Sequence, residues 1–208
     1  MKKNFKMAAL FVAIAAFAVS CASPKPKETV ENLKAAISGE TDASAKYQAF
    51  SAKAEEDGYY NIAKMFAAAS AAEAIHIKNH NEALVEMDEE LFNPTAKTPE
   101  VNDMVANLLD AIAGETYEFT VMYPGFIETA IAEDCIEALI SFSMANDAEA
   151  EHARLYAEAL EILNTTGTDE TVASVWHVCP KCGDLFNTIE GLDNCPICGV
   201  ESTSFKEF

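Results

Sequence analysis

Gly114-Glu115-Thr116-Tyr117-Glu118 sets two carboxylates three residues apart in an otherwise apolar helical stripe. At helical spacing Met104, Leu108, Ala111, Glu115, Glu118 and Met122 share one side, because positions three and four apart lie on one face. That side is the expected core. Two acids buried there carry a heavy desolvation cost unless positive charge meets them, and the stripe holds no Lys or Arg. A metal ion is the natural counter-charge.

The same signature stands earlier in the chain. Ala36-Ile37-Ser38-Gly39-Glu40-Thr41 matches Ala111-Ile112-Ala113-Gly114-Glu115-Thr116 almost letter for letter, and each copy is followed by a Glu-x-x-His: Glu73 with His76, then Glu149 with His152. Glu40 and Glu115 are 75 residues apart, and Glu73 and Glu149 are 76 apart. A nearly constant offset marks an internal repeat of one helical hairpin, so residues 28–166 are predicted to form an all-α four-helix bundle.

Helix one is expected over 28–57, with Leu33, Ile37, Glu40, Ser44 and Tyr47 inward and Asp57-Gly58 as its stop. Helix two is expected over 59–87, with Ile62, Phe66, Ala69, Glu73, His76 and His80 in line. Residues 88–99, which contain Asn93-Pro94 and Thr98-Pro99, must then run the length of the bundle between the hairpins. Helix three is expected over 100–132 with a kink at Pro124-Gly125. Helix four is expected over 133–163, with Ala138, Phe142, Ala145, Glu149, His152 and Tyr156 inward.

A chain of 208 residues with 50% hydrophobic content can build one medium domain, a real core and a small appendage. Lys plus Arg number 14 against 34 Asp plus Glu, a net charge of -20. Such a surface repels nucleic acid and anionic lipid, so no nucleic-acid partner is expected. Residues 1–20 read as an export signal, with Lys2, Lys3 and Lys6 ahead of a short apolar run from Met7 to Val19. Ala18-Val19-Ser20-Cys21 resembles a bacterial lipobox. On that reading Cys21 becomes a lipid-bearing first residue, 21–27 is a tether containing Pro24 and Pro26, and the protein sits in the cell envelope on the periplasmic side. Contact with a membrane is expected only through that anchor; an ordinary cut nearby, giving a soluble periplasmic or secreted protein, is the alternative.

In a Glu-x-x-His on a helix the two side chains sit about a turn apart and can bind one ion together. One Glu from each of two helices plus Glu-x-x-His from the other two is the donor pattern of di-iron and di-manganese carboxylate bundles. Here Glu40 and Glu115 are the single acids, and Glu118 is an extra one. A lone Glu-x-x-His is most often a surface pair. Two of them, in register with a repeated Gly-Glu-Thr, predict a two-metal site built from Glu40, Glu73, His76, Glu115, Glu118, Glu149 and His152. Mixed carboxylate and imidazole donors suit redox-active iron better than structural zinc; manganese satisfies the same donors.

A second metal site is signalled by Cys179-Pro-Lys-Cys182-Gly and Cys195-Pro-Ile-Cys198-Gly, with 12 residues between Cys182 and Cys195. Paired Cys-x-x-Cys knuckles place four thiolates at the corners of a tetrahedron, and glycine permits the tight turn beneath each pair. Three fillings stay open for this module over 174–208. Zinc ribbons use the same spacing, iron beside a di-iron core could relay single electrons, and an oxidising compartment would favour disulfides. Cys135 stands apart and reads as a small buried hydrophobe rather than a redox thiol.

In this order, Gly-Glu, Glu-x-x-His, Gly-Glu-x-x-Glu, Glu-x-x-His and four cysteines, the chain resembles the rubrerythrins over nearly its whole mature length. The resemblance implies a ferritin-like bundle followed by a rubredoxin-like module. It implies iron ligands at Glu40, Glu73, Glu115, Glu149 and His152, with Glu118 and His76 exchanging places on the first iron as its oxidation state changes. Tyr47 and Tyr123 match tyrosines that line the di-iron pocket, and core packing with a bonded hydroxyl would account for them as well. His80 is not part of the motif and is expected behind the ligands or at a polar end.

The activity implied is reduction of hydrogen peroxide to water in oxidative-stress defence, with electrons relayed through an iron tetrathiolate. The chain carries no Gly-x-Gly-x-x-Gly fingerprint, so an external reductase would supply the electrons. The resemblance also implies a head-to-tail homodimer whose communicating centres come from different subunits. The competing reading keeps the fold and makes the chain a ferritin-like iron-oxidising or metal-binding envelope lipoprotein without peroxidase turnover.

Overall fold

Two helical hairpins carry the repeat. The first joins α1 (Lys27–Asp57) to α2 (Tyr60–Glu86) through Gly58, whose left-handed φ of 84° closes α1 while Tyr59 N–H donates to Ala54 O at 2.8 Å. The computed structural model describes residues 26–208. The expected export signal, the anchor Cys21 and the tether up to residue 25 lie outside the described residues.

Neither helix of this hairpin has a side-chain N-cap of its own, because Pro26 and Tyr59 hold those positions. Distant acids do the work. Glu133 Oε2 accepts from Thr29 N–H at 2.8 Å, and Asp169 Oδ2 accepts from Asn61 N–H at 2.6 Å and Ile62 N–H at 3.1 Å. A carboxylate at the positive end of a helix satisfies orphan donors and complements the dipole.

The second hairpin comprises α3 (Met104–Tyr117), a π-helical segment (Glu118–Met122), α4 (Tyr123–Ala132) and α5 (Ile136–Thr166). Three expectations are corrected here. The third helix starts at Met104 rather than at 100, because Asp103 accepts from Ala106 N–H at 2.9 Å and Asn107 bonds both backbone groups of Asn102. Its irregularity is the π segment rather than a kink at Pro124-Gly125. Tyr123 N–H donates five residues back to Glu118 O, a widened turn immediately before Pro124, whose ring would crowd the Thr120 carbonyl in a regular helix. The fourth helix starts at Ile136 rather than 133, since Asp134 turns left-handed at φ 57° and Cys135 N–H closes α4 on Ala130 O.

The π segment also changes which residues face inward. At about 100° per residue, Met122 is the position nearly in line with Glu115 in an unbroken helix, and Tyr123 would be rotated by about 80°. One extra residue in a turn exchanges the two: Tyr123 is fully buried and Met122 only half-buried.

Residues 87–103 run back along the bundle without regular structure. Phe92 and Asn81 exchange two hydrogen bonds, Lys97 is clamped to Asp42 through its backbone N–H and its Nζ, and Asp103 ends beside Asp57 and Gly167. The crossing expected for this link is therefore present. The interior divides into two apolar clusters, one around Tyr47, Phe50, Phe66, Leu108 and Tyr156, the other around Leu33, Ile37, Leu84, Tyr123 and Phe142. A polar layer lies between them.

The C-terminal module is a small antiparallel sheet with β1 (His177–Val178) between β2 (Leu185–Phe186) and β3 (Lys206–Glu207). Trp176, Val178 and Leu185 join the first apolar cluster, so the module shares a core with its own bundle. Among the described residues, no helix is long and apolar enough to cross a membrane.

Candidate metal centres

The polar layer is the predicted acid cluster. Glu40 comes from α1, Glu73 and His76 from α2, Glu115 from α3, Glu149 and His152 from α5, and all six are buried. Their ligand atoms form two groups, each lying within 4.8 Å throughout: Glu40, Glu73, His76 and Glu149, then Glu73, Glu115, Glu149 and His152. Glu73 and Glu149 belong to both. Two acids shared between two donor sets is the arrangement that bridges a pair of ions.

The orientations support that reading. His76 Nδ1 lies 2.9 Å from Glu73 Oε2 and 2.7 Å from Glu149 Oε1, and His152 Nδ1 lies 2.7 Å from Glu149 Oε2. Yet Glu40 Oε2, Glu73 Oε1, both Glu149 oxygens and His152 Nδ1 are buried with no hydrogen-bond partner. His76 Nδ1 does hydrogen-bond to Glu73 Oε2, but the unpartnered atoms, brought this close without hydrogen-bond geometry, are aimed at common points rather than at one another. Buried orphan atoms of this kind are rare and costly. The donors fit two cations.

Protons and cations compete for these groups. Burial pushes Glu40, Glu115 and Glu118 well above the usual carboxylate range, and neighbouring carboxylates add to it. Burial alone would also raise Glu149, but His76 and His152 on either side hold it far below. Burial opposes the charge on both imidazoles, and the Glu149 and Glu73 carboxylates outweigh it, so both are raised.

The outer nitrogens of both imidazoles bond to the module. His76 Nε2 lies 2.9 Å from Cys182 O, and His152 Nε2 lies 3.1 Å from Gly183 O. A carbonyl oxygen only accepts, so each Nε2 carries a proton, and in the neutral ring Nδ1 presents its lone pair to the cluster. Sequence reasoning missed these two contacts. The glycine after Cys182 signalled a tight turn, but nothing in the sequence joins that turn to the bundle.

The knuckle thus meets the cluster of its own chain. Gly183, at φ 83°, allows it: a Cβ there would overlap His76 Nε2 and lie 3.1 Å from Ala72 O.

Glu118 stands outside both donor groups. Its Oε2 is buried and unpartnered, and the residue borders a cavity of 190 Å³ lined also by Gly39, Asp42, Lys46, Lys97 and Pro99. Tyr47 donates to Glu115 Oε1 and Tyr123 donates to Glu40 Oε1. Both tyrosines are therefore packed core residues and partners of the acid cluster at once. His80 is buried behind the ligands as expected, bonded to Ser141 and Tyr123. Cys135 is buried and free, and burial raises its thiol.

In the module all four Sγ atoms of Cys179, Cys182, Cys195 and Cys198 lie within 4.8 Å of one another. Cys179 to Cys198 is 3.4 Å and Cys182 to Cys195 is 3.5 Å. A disulfide bond is about 2 Å long, so the disulfide alternative is overturned. The two knuckles are built alike: Gly183 N–H returns to Cys179 O and Gly199 N–H to Cys195 O. Iron and zinc both fit four thiolates so placed.

Comparison with known proteins agrees. The Rubrerythrin family model matches residues 31–160. The chain is 41% identical to nigerythrin of Nitratidesulfovibrio vulgaris over 180 residues, covering 86% of each protein, and 35% identical to rubrerythrin-2 of Clostridium acetobutylicum, covering 89% of this chain and all of that one. A structure of fully reduced, all-ferrous nigerythrin superposes with a TM-score of 0.80 at 37% identity over 91% of each chain. An open-pore ferritin from Archaeoglobus fulgidus shares the bundle fold alone, with a TM-score of 0.62 at 15% identity. The ferritin-like bundle with its carboxylate–histidine di-iron site, followed by a four-cysteine module for one iron or zinc, makes this chain a member of the rubrerythrin family.

Proposed function

We propose that the protein is a peroxide reductase whose four-cysteine module refills the di-iron site. The observation that carries this reading is the pair of hydrogen bonds from His76 and His152 to the Cys182 and Gly183 carbonyls. A protein that only stored metal would have no use for a redox-capable tetrathiolate bonded to a ligand of each ion. When bound, the two irons supply the two electrons that reduce hydrogen peroxide to water.

The chain's own residues do the rest. Glu73 and Glu149, common to both donor groups, would hold the two ions, and the module carbonyls keep both imidazoles oriented. Tyr47 and Tyr123 fix the outer acids Glu115 and Glu40. Glu118, beside its cavity, is the acid free to approach or leave the first donor group, opposite His76. The two apolar clusters keep bulk water out.

An external reductase supplies electrons to the module. An exposed stripe of Val105, Leu109, Tyr117 and Val121 supports a homodimer in solution. Export with lipid attachment at Cys21 completes the proposal, and mass spectrometry of the mature N-terminus tests it.

The experiment is a single turnover. Fully reduced, iron-loaded protein is mixed with hydrogen peroxide and followed optically. Oxidation of the di-iron site is expected, followed by growth of the visible thiolate-to-ferric absorption of the cysteine site as its ferrous iron hands on an electron. Iron uptake and oxidation with no peroxide consumption would instead identify an iron-oxidising ferritin-like protein, and zinc at the cysteines would break the electron route.

A further inference from the structure

One buried polar chain is left unexplained by metal binding. Ser141 Oγ lies 2.7 Å from His80 Nδ1, His80 Nε2 lies 3.0 Å from Tyr123 OH, and Tyr123 OH donates to Glu40 Oε1. Its direction follows from counting protons. A phenol has one O–H, and Tyr123 spends it on a carboxylate oxygen, so Tyr123 must accept from His80. His80 Nε2 therefore bears the proton, its Nδ1 accepts, and Ser141 donates. Every hydrogen in the chain points toward the metal cluster.

The outer end reaches water. Ser141 lines an open groove of 440 Å³ between α2 and α5, whose walls include Glu82, Glu86 and Glu137. Between that groove and Glu40 the chain is sheathed in apolar groups. The His80 ring lies 5.4 Å from Phe142 and 5.8 Å from Tyr123, and Phe142 packs on Phe126. A fully buried imidazole with no ligand role is costly beside the Phe or Leu that would fill the same space. Burial also keeps it neutral, with a pKa near 3, so it can pass protons without holding a charge.

We propose that Ser141 and His80 form a proton entry to the di-iron site, separate from the cavity beside Glu118. The proposal rests on the peroxide-reductase reading for its chemical purpose. Reduction of one hydrogen peroxide to two waters consumes two electrons and two protons, and the metals provide only the electrons. In one pass Tyr123 releases its O–H proton toward the site, His80 Nε2–H moves to the Tyr123 oxygen, and the Ser141 proton moves to His80 Nδ1. Ser141 is reprotonated from the groove, which leaves the ring proton on Nδ1, and a local opening that admits water to the ring returns it to Nε2 before the next pass. His80 and Ser141 are positioning and relay residues, since neither touches the reacting atoms.

The test combines two variants with a measurement that needs no peroxide. In iron-loaded protein, His80→Phe keeps the packed volume and Ser141→Ala removes only the outer link. Each is expected to slow peroxide-driven oxidation of the reduced site about tenfold or more, to change the solvent isotope effect on that step, and to leave iron content unchanged. Nitrogen-15 NMR of zinc-filled protein is expected to place the His80 proton on Nε2, with its exchange with water slowed in Ser141→Ala. Wild-type rates and an unchanged isotope effect in both variants would overturn the relay, as would a proton on Nδ1. If wild-type protein fails to react with peroxide, the reductase reading falls, and the NMR result still decides whether this path carries protons.

Discussion

Replacing Gly183 by alanine tests how the two metal sites are joined. The new Cβ would overlap His76 Nε2 and sit 2.8 Å from its Cδ2 and 3.1 Å from Ala72 O. Neither neighbour can yield. Ala72 O belongs to the helix backbone, and the other side of the His76 ring is held by Glu73 and Glu149. The knuckle must therefore lift away, losing the bonds from His76 to Cys182 O and from His152 to Gly183 O. Each buried group left unpaired costs about 1–3 kcal/mol, and alanine at a left-handed φ adds about 1–2 kcal/mol. The sum is at least about 3 kcal/mol, a factor of about 100 in the ratio of docked to undocked module. Hydrogen exchange over residues 177–186 should speed up, and appearance of the ferric cysteine site's absorption after peroxide should slow, while the iron held in the bundle stays near two per chain. Unchanged exchange protection and an unchanged electron-refill rate in Gly183→Ala would refute the steric argument and the coupling built on it.

Other predictions follow from the same geometry. Glu118→Ala should retain both metals, since Glu118 lies outside both donor groups, yet lose peroxidase turnover by about tenfold or more; full activity would remove Glu118 from the mechanism. Asp169→Ala should cost about 2 kcal/mol, because two backbone bonds to a carboxylate at the start of α2 disappear. Calorimetry should read a fall in Tm of about 4–8 °C. Metal uptake should release protons: His76, His152, Glu40 and Glu115 all have pKa values raised in the metal-free protein and must lose protons to ligate, whereas Glu149 is already ionised. Affinity therefore falls as pH drops, and titration calorimetry in buffers of different ionisation enthalpy counts the protons. A net release of zero would contradict these environments.

The convergence of the candidate donors was legible because their pattern is written twice. Glu40, Glu73, His76, Glu115, Glu149 and His152 stand at matching places in a repeated hairpin, and acids on an apolar stripe need a partner that only a cation supplies. The four cysteines were legible for the same reason: spacing alone defines their geometry. What escaped depends on contacts between elements distant in sequence. The π segment exchanges Met122 for Tyr123 on the inner face, and a regular 3.6-residue period cannot register one extra residue in a turn. The acids that serve α1 and α2 at their starts, Glu133 and Asp169, lie more than 100 residues downstream of the groups they meet. The seating of the module on His76 and His152 uses carbonyl oxygens, which every residue has, so no side-chain pattern announces it.

That last feature bears on how freely such a protein can change. Because the bundle grips the knuckle by its peptide groups, among them the Lys181 carbonyl that accepts from Asn79 Nδ2 at 2.8 Å, the side chains at 180 and 181 between the first two cysteines contribute little to the fit, and drift there is tolerated so long as Gly183 keeps its turn. A foreign Cys-x-x-Cys-Gly loop of the same shape, carrying a different surface charge and a different choice of electron donor, could be transplanted onto this bundle and still find the two imidazoles waiting for it.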